Sequence, residues 1–173
     1  MVKREINVEP YNKKWKVKFK NEKSKLEKIF NDILVKIYHI GSTAIPNIKA
    51  KPVIDIMVVV EDIDKVDNYN DRIKSLGYEP KGEFGIKNRR FFQKGGNNRT
   101  HHIHIFQQGD KEIKRHINFR DYIKSHPKEA QKYSQLKEIL ADKYSQDINK
   151  YNKGKNDFIA EIDSKAVEWK KNN

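Results

Sequence analysis

The segment "PVIDIMVVV", residues 52–60, is apolar except for Asp55. A carboxylate is expensive to bury without a partner, so an acid inside such a run points to a group that meets it. The candidates lie in "THHIHIF", residues 100–106. Side chains along a strand alternate between its faces. That places Val53, Asp55, Met57 and Val59 together, and His102 and His104 together with Thr100 and Phe106. Two imidazoles and one carboxylate from adjacent strands have the donor types for a divalent ion or, with the imidazoles protonated, for an oxyanion such as phosphate. A structural reading stands beside these, with Asp55 capping loop backbone and the histidines packed.

Small and basic residues extend the set. "HIGSTAIP", residues 39–46, carries the small-residue turn Gly41, Ser42, Thr43. Lys51 precedes Pro52 and leads into the Asp55 run, within reach of a phosphate. Arg90, at the start of "RFFQ", offers a forked donor to phosphate or carboxylate. Arg120 falls on or near the apolar stripe of Ile113, Ile117 and Ile123, and Lys155 is surrounded at helical spacing by Tyr151, Phe158, Ile159 and Ile162. A cation on such a stripe needs an anion, from a ligand or from an acid such as Asp55, unless it snorkels past the core edge. His116 and His126 align with no partner and read as structural.

The elements that must position these residues follow from periodicity. Trp15, Phe19, Leu26, Phe30 and Ile33 predict a helix from about Lys13 to Ile33. "LVKIYHIG" reads as a strand, and Pro52 to Val60, apolar on both faces, as a strand in the middle of a covered sheet. "DIDKVDNYNDRIKSLG" has the acidic start and terminal Gly77 of a helix. Three short strands follow, "YEPKGEF", "RRFFQKG" and "THHIHIFQ", then helices Lys111–Ser125, Pro127–Tyr144 and Ile148–Lys171. The expected fold class is α/β (α+β): a mixed β-sheet flanked by helices, with a helical C-terminal tail. The 173 residues suit one domain over 1–173, with no repeat or Pro/Gly/Ser linker to divide them.

Composition narrows the function classes. No apolar stretch approaches the roughly 20 residues of a membrane helix, and "MVKREINVEPYNKKW" lacks the apolar segment of a signal peptide. The absence of cysteine excludes disulfides and thiolate zinc sites. A cytoplasmic protein is expected. The formal charge of +13 is mostly lysine spread along the chain, whereas a nucleic-acid surface needs convergence, and no RNP-like or KH-like motif is present. A small anionic ligand is favoured over a polynucleotide.

Gly41-Ser42, twelve intervening residues, then Asp55-Ile56-Met57-Val58 resembles the signature of the nucleotidyltransferase superfamily. More closely, "VEPYNKKW", "HIGSTAIPNIKAKPVIDI", "THHIHIF", "FRDYIKSHP" and "YNKGKNDFI", in order from Val8 to about Ile162, resemble the GrpB-like family, which has that fold. The resemblance implies nucleotide phosphates over Gly41, Ser42 and Thr43, near Lys51 and Arg90. It implies Asp55, His102 and His104 as catalytic residues that bind a metal or orient the reacting group. Arg120, Tyr151 and Lys155 are carried over as family hallmarks, with Arg120 and Lys155 gripping the acceptor or the departing phosphate. In the superfamily Asp-x-Asp and a third acid hold divalent metal. Here Met57 stands at the second acid and the histidine strand at the third. The implied cofactor is one divalent ion, Mg, Mn or Zn, with imidazole nitrogen favouring the softer ions. The implied function is metal-assisted nucleotidyl or phosphoryl transfer from a nucleotide to a small acceptor. The alternative is a noncatalytic nucleotide- or CoA-precursor-binding or accessory module that retains the pocket, since related domains occur fused to dephospho-CoA kinase.

Overall fold

Five strands form one mixed sheet in the computed structural model, which describes residues 5–173. The reading of the extreme N-terminus as carrying no signal peptide falls partly outside those residues. The strands are β1 (Leu34–Ile40), β2 (Ile54–Val60), β3 (Tyr78–Pro80), β4 (Arg90–Lys94) and β5 (His101–Gln107), in the spatial order β1-β2-β5-β4-β3. The β2–β5 pair is parallel and the other three pairs are antiparallel. Strand β2 therefore has a neighbour on each side, which explains why its residues are apolar on both faces.

One face carries Ile54, Ile56, Val58, Val60, Ile103, Ile105 and Phe92. It packs against helix α1 (Lys14–Ile29) through Trp15 and Leu26, with Phe30 just beyond the helix end. A 3₁₀ segment, Ile63–Tyr69, and the short helix α2 (Asn70–Ser75) add Ile63, Val66 and Ile73 to that core. The opposite face carries Asp55, Met57, His102, His104 and Phe106. Helix α3 (Lys111–Ser125) covers part of it, with Ile113 and Ile117 against Ile40, Met57 and Phe106. Helices α4 (Pro127–Lys143) and α5 (Ile148–Lys171) pack with α3 through Phe119, Tyr122, Tyr133, Ile162 and Ala166. The Asp110 and Asp147 carboxylates accept from the backbone N–H groups of Glu112 and Lys150, capping α3 and α5.

Three expected elements are shorter or differently wound. Helix α1 stops at Ile29 because Asn31-Asp32, residues that favour turns, follow; Phe30 and Ile33 are still buried. The segment from Asp62 begins as a 3₁₀ helix and becomes α-helical only at Asn70. Strand β3 ends at Pro80, since Gly82 and Phe84 take positive φ. Among the described residues no helix is long and apolar enough to cross a membrane.

Candidate functional site

The parallel register sets Asp55 opposite His102 and Met57 opposite His104, while β1 sets Ile40 opposite Asp55. His104 Nε2 lies 3.1 Å from Asp55 Oδ1, and His102 Nδ1 lies 3.4 Å from the same oxygen. On its far side, His104 Nδ1 is 3.3 Å from Arg89 Nη1. A guanidinium has only donors. Nδ1 must therefore accept, which leaves the proton on Nε2, donated to Asp55. Arg89 is itself 6% exposed and anchored, donating to the Glu83 carbonyl at 3.1 Å and the Phe84 carbonyl at 2.7 Å.

Burial alone would raise the Asp55 carboxyl, but the hydrogen bonds it accepts from His102 and His104 hold it well below the usual carboxylate range. Burial lowers the His104 imidazole; Asp55 opposes this and Arg89 adds to it. The other oxygen, Oδ2, faces Gly41, whose φ is +73°. A Cβ there would stand 2.7 Å from Oδ2, so both the conformation and the close approach require glycine.

Ligand atoms of Asp55, His102 and His104 lie within 4.8 Å of one another, close enough to share one ion. Both nitrogens of His104 are already engaged, by Arg89 and Asp55. The ready donors are the Asp55 carboxylate and His102. Met57, at the position of a second acid, is fully buried against Ile113 and Ile117. One oxygen and one nitrogen donor suit a divalent ion that completes its shell with ligand oxygens and water.

In front of Asp55 lies a cavity of about 270 Å³, walled by the Gly41–Thr43 turn, Lys51, His102 and residues of α4 and α5. Three lysines converge on it: Lys51, Lys137 and Lys155. Lys137 is 2% exposed, its Nζ has no hydrogen-bond partner among the described residues, and it sits 4.2 Å from the centroid of the Tyr133 ring. The hydroxyl of fully buried Tyr151 likewise has no hydrogen-bond partner among the described residues. Lys155 and Lys51 lie 4.5 and 4.9 Å from the Tyr151 ring centroid. Burial pushes the Lys137 amine down to about 6, with Lys155 and Lys51 adding to the effect. Lys155 is pushed down to about 8 by burial, against the pull of Asp55. At the mouth, Ser42 Oγ donates to the Tyr133 hydroxyl at 3.4 Å. Gly154 allows α5 to approach α4, since a Cβ there would stand 2.5 Å from Leu140 Cδ2.

The fold thus brings Gly41, Ser42, Thr43, Lys51, Asp55, His102, Tyr151 and Lys155 to one cavity, with His104 just behind Asp55. Arg90 and Arg120 are not brought there, contrary to expectation. Alternation turns Arg90 to the other face of β4, where Asp67 at 3.0 Å and Asp64 at 3.8 Å hold it. Arg120 donates to Asp121 at 2.9 Å and to the His39 carbonyl at 3.1 Å, on the far side of the Gly41–Thr43 turn. His116 and His126 do find partners, the carbonyls of Glu112 and Tyr122 at 2.8 and 2.7 Å.

Sequence reasoning missed Lys137, Tyr133, Asn152 and Arg89. Lys137 follows Tyr133 by four and precedes Ala141 by four, so it falls on a buried helical stripe by the same anomaly that marked Lys155. Arg89 lies two before Phe91, which pairs with His104, so alternation selects it over Arg90.

A family model described as GrpB protein matches residues 5–165. The chain is 46% identical over 169 residues to UPF0157 protein YqkA of Bacillus subtilis, covering 98% of this chain and 49% of that protein. The chain therefore spans about half the length of that relative. It is 36% identical over 163 residues to the glutamate-rich protein GrpB of Alkalihalophilus pseudofirmus, covering 91% and 94% of the two chains. The crystal structure of conserved protein GrpB from Enterococcus faecalis superposes with a TM-score of 0.90 at 41% identity, covering 94% of this chain and 98% of that one. The Cid1 poly(U) polymerase with MgGTP bound superposes at 0.51 and 13% identity, over 78% and 43% of the chains. That likeness is one of fold alone, and the fold is nucleotidyltransferase-like.

Proposed function

The chain belongs to the GrpB family, and from that premise we propose that it holds the phosphate chain of a nucleotide in the Asp55 cavity and transfers a nucleotidyl or phosphoryl group to a small acceptor. The observation that carries this reading is Lys137, a lysine 2% exposed with no hydrogen-bond partner among the described residues, facing a cavity that Lys51 and Lys155 also line. Burying such a group costs stability unless an anion meets it. A volume of about 270 Å³ is just under the roughly 300–1,000 Å³ of drug-sized ligand pockets. It suits a phosphate chain, with the nucleoside reaching outward.

Each residue has a task in this reading. Gly41 and Ser42 let the phosphates approach the turn closely. Lys51, Lys137 and Lys155 balance the charge that gathers on the departing phosphate oxygens. Asp55 and His102 would hold one divalent ion, which when bound neutralises charge on the reacting phosphate. His104, fixed by Arg89, orients Asp55 and leaves Oδ2 toward the Gly41 turn.

Met57 favours a second reading, a binding module without catalysis, because the fold seals the position of the second acid inside the core. Thermal shifts with ATP, GTP, CTP and UTP, each with and without Mg²⁺ or Mn²⁺, followed by a search for transfer products, test both. A shift that needs nucleotide and metal together, with product, is the expected result. A metal-independent shift without product supports the binding module. No shift with any phosphate compound overturns both.

A further inference from the structure

A second hollow, about 230 Å³, lies between α1 and α3. Lys16 and Lys20 of α1 and Arg120 and Lys124 of α3 line it, and among the described residues no acid does. Among the described residues the three lysines form no ion pair, and Arg120 meets only Asp121 and the His39 carbonyl, which leaves Nη2 without a partner. Burial, then Arg120, lower the Lys124 amine, and Lys16 adds to this despite the opposing pull of Asp121. Four cations share this space with one acid beside it.

The floor is aromatic, with Phe19 stacked on His39 at 4.7 Å and 11°. The wall between this hollow and the Asp55 cavity is Thr43, which lines both. Its hydroxyl donates to the Val53 carbonyl at 3.3 Å and accepts from His39 Nε2 at 3.0 Å, so the partition is fixed from both sides.

We propose that this hollow is a second anion site, which takes the phosphate group of a small phosphorylated acceptor while the Asp55 cavity holds the donor's phosphates. The site itself stands on the convergence of Lys16, Lys20, Arg120 and Lys124; its assignment to the acceptor rests on the transfer reading above. Opposed anions on two sides of one turn explain why cations line both hollows. They also explain why Arg120, on the apolar side of its helix, sits away from Asp55.

Calorimetric titration with inorganic pyrophosphate at physiological salt tests the proposal on three proteins. The wild type should bind at two sites. Lys137→Met should keep the α1/α3 site and lose the other. The double variant Arg120→Gln/Lys124→Gln should keep the Asp55 cavity site and weaken the second by roughly 10-fold or more, the loss expected for a charge-assisted hydrogen bond. Because Arg120 also ties α3 to β1, a second pair, Lys16→Gln/Lys20→Gln, removes charge without touching that contact and should weaken the same site. Unchanged stoichiometry and affinity in both double variants would overturn the second site. Loss confined to Lys137→Met would overturn it equally while leaving the Asp55 cavity reading intact.

Discussion

Arg89 donates through Nη1 to Nδ1 of His104 at 3.3 Å, and that bond sets which His104 nitrogen faces Asp55 with a proton. Were Nδ1 protonated, it would oppose the guanidinium N–H, so the imidazole is locked as a donor to the carboxylate. His104 thus serves Asp55 as a positioning group.

Removing that lock should be visible directly. In long-range ¹H–¹⁵N spectra of the wild type, His104 Nδ1 should carry no proton; in Arg89→Met both tautomers should appear, and the imidazole should titrate at higher pH, since Arg89 now lowers it. The variant should also lose roughly 1.5–3 kcal/mol of stability, because three hydrogen bonds from a buried guanidinium disappear. A single unchanged tautomer in Arg89→Met would refute the lock.

Lys137 should be a liability in the ligand-free protein. Lys137→Met keeps the stem and removes an unpaired buried amine, so it should raise stability by about 1–3 kcal/mol while abolishing anion binding in the Asp55 cavity. The gain should depend on pH. The amine titrates near 6 in the folded chain and near 10.4 when unfolded, so between these values the unfolded state binds the extra proton and wild-type stability rises with pH. The advantage of Lys137→Met should be largest below about pH 6 and should shrink toward about pH 10. Urea melts of the two proteins across that range measure it, and an advantage that grows with pH would be the wrong sign.

Gly41 should tolerate no side chain. Its backbone, φ +73° and ψ −173°, lies in a region that is essentially glycine's alone and costs roughly 1–3 kcal/mol for other residues, and the added Cβ would also collide with Asp55 Oδ2. Gly85 has φ +89° but open space around it. Gly41→Ala should therefore lose more stability than Gly85→Ala and should alone disturb the His104 signals. Equal losses, with His104 unmoved, would remove the link between this turn and Asp55.

How much of this was legible in the sequence depended on which period carried the signal. Asp55, His102 and His104 emerge from two-residue alternation because their strands are regular, but that β2 and β5 are neighbours came only from Asp55's need for a partner. Arg89 and Arg90 are adjacent and chemically alike; only the pleat separates one beside His104 from one held by Asp67. Lys137 was legible in principle, but three further lysines lie in α4, and its burial depends on α5 coming close across Gly154. Arg120 was recognisable as a cation on an apolar stripe. The hollow it enters is set by how α3 crosses the sheet, which helical periodicity does not contain.

Acid should destabilise the fold well before the carboxylates titrate. His39, His101 and His116 are each lowered to about 4, in every case chiefly by burial. Asp55 opposes this at His39, Glu22 at His101 and Glu112 at His116. A free imidazole titrates near 6.5. Between about 4 and about 6.5 the unfolded chain thus binds protons that the folded chain refuses, so stability rises with pH there and is lost as pH falls. Asp55, held below the usual carboxylate range, has the opposite shift: its contribution is present above about 3.8 and is lost only as pH falls further, so it does not mask the effect. The urea midpoint should drop steadily from about pH 7 to about pH 4. In His39→Asn/His116→Asn, which removes two of the three groups, the slope should flatten even if overall stability is lower. A midpoint constant across that range in the wild type, or an equally steep decline in the double variant, would mean that these imidazoles are protonated in the folded protein.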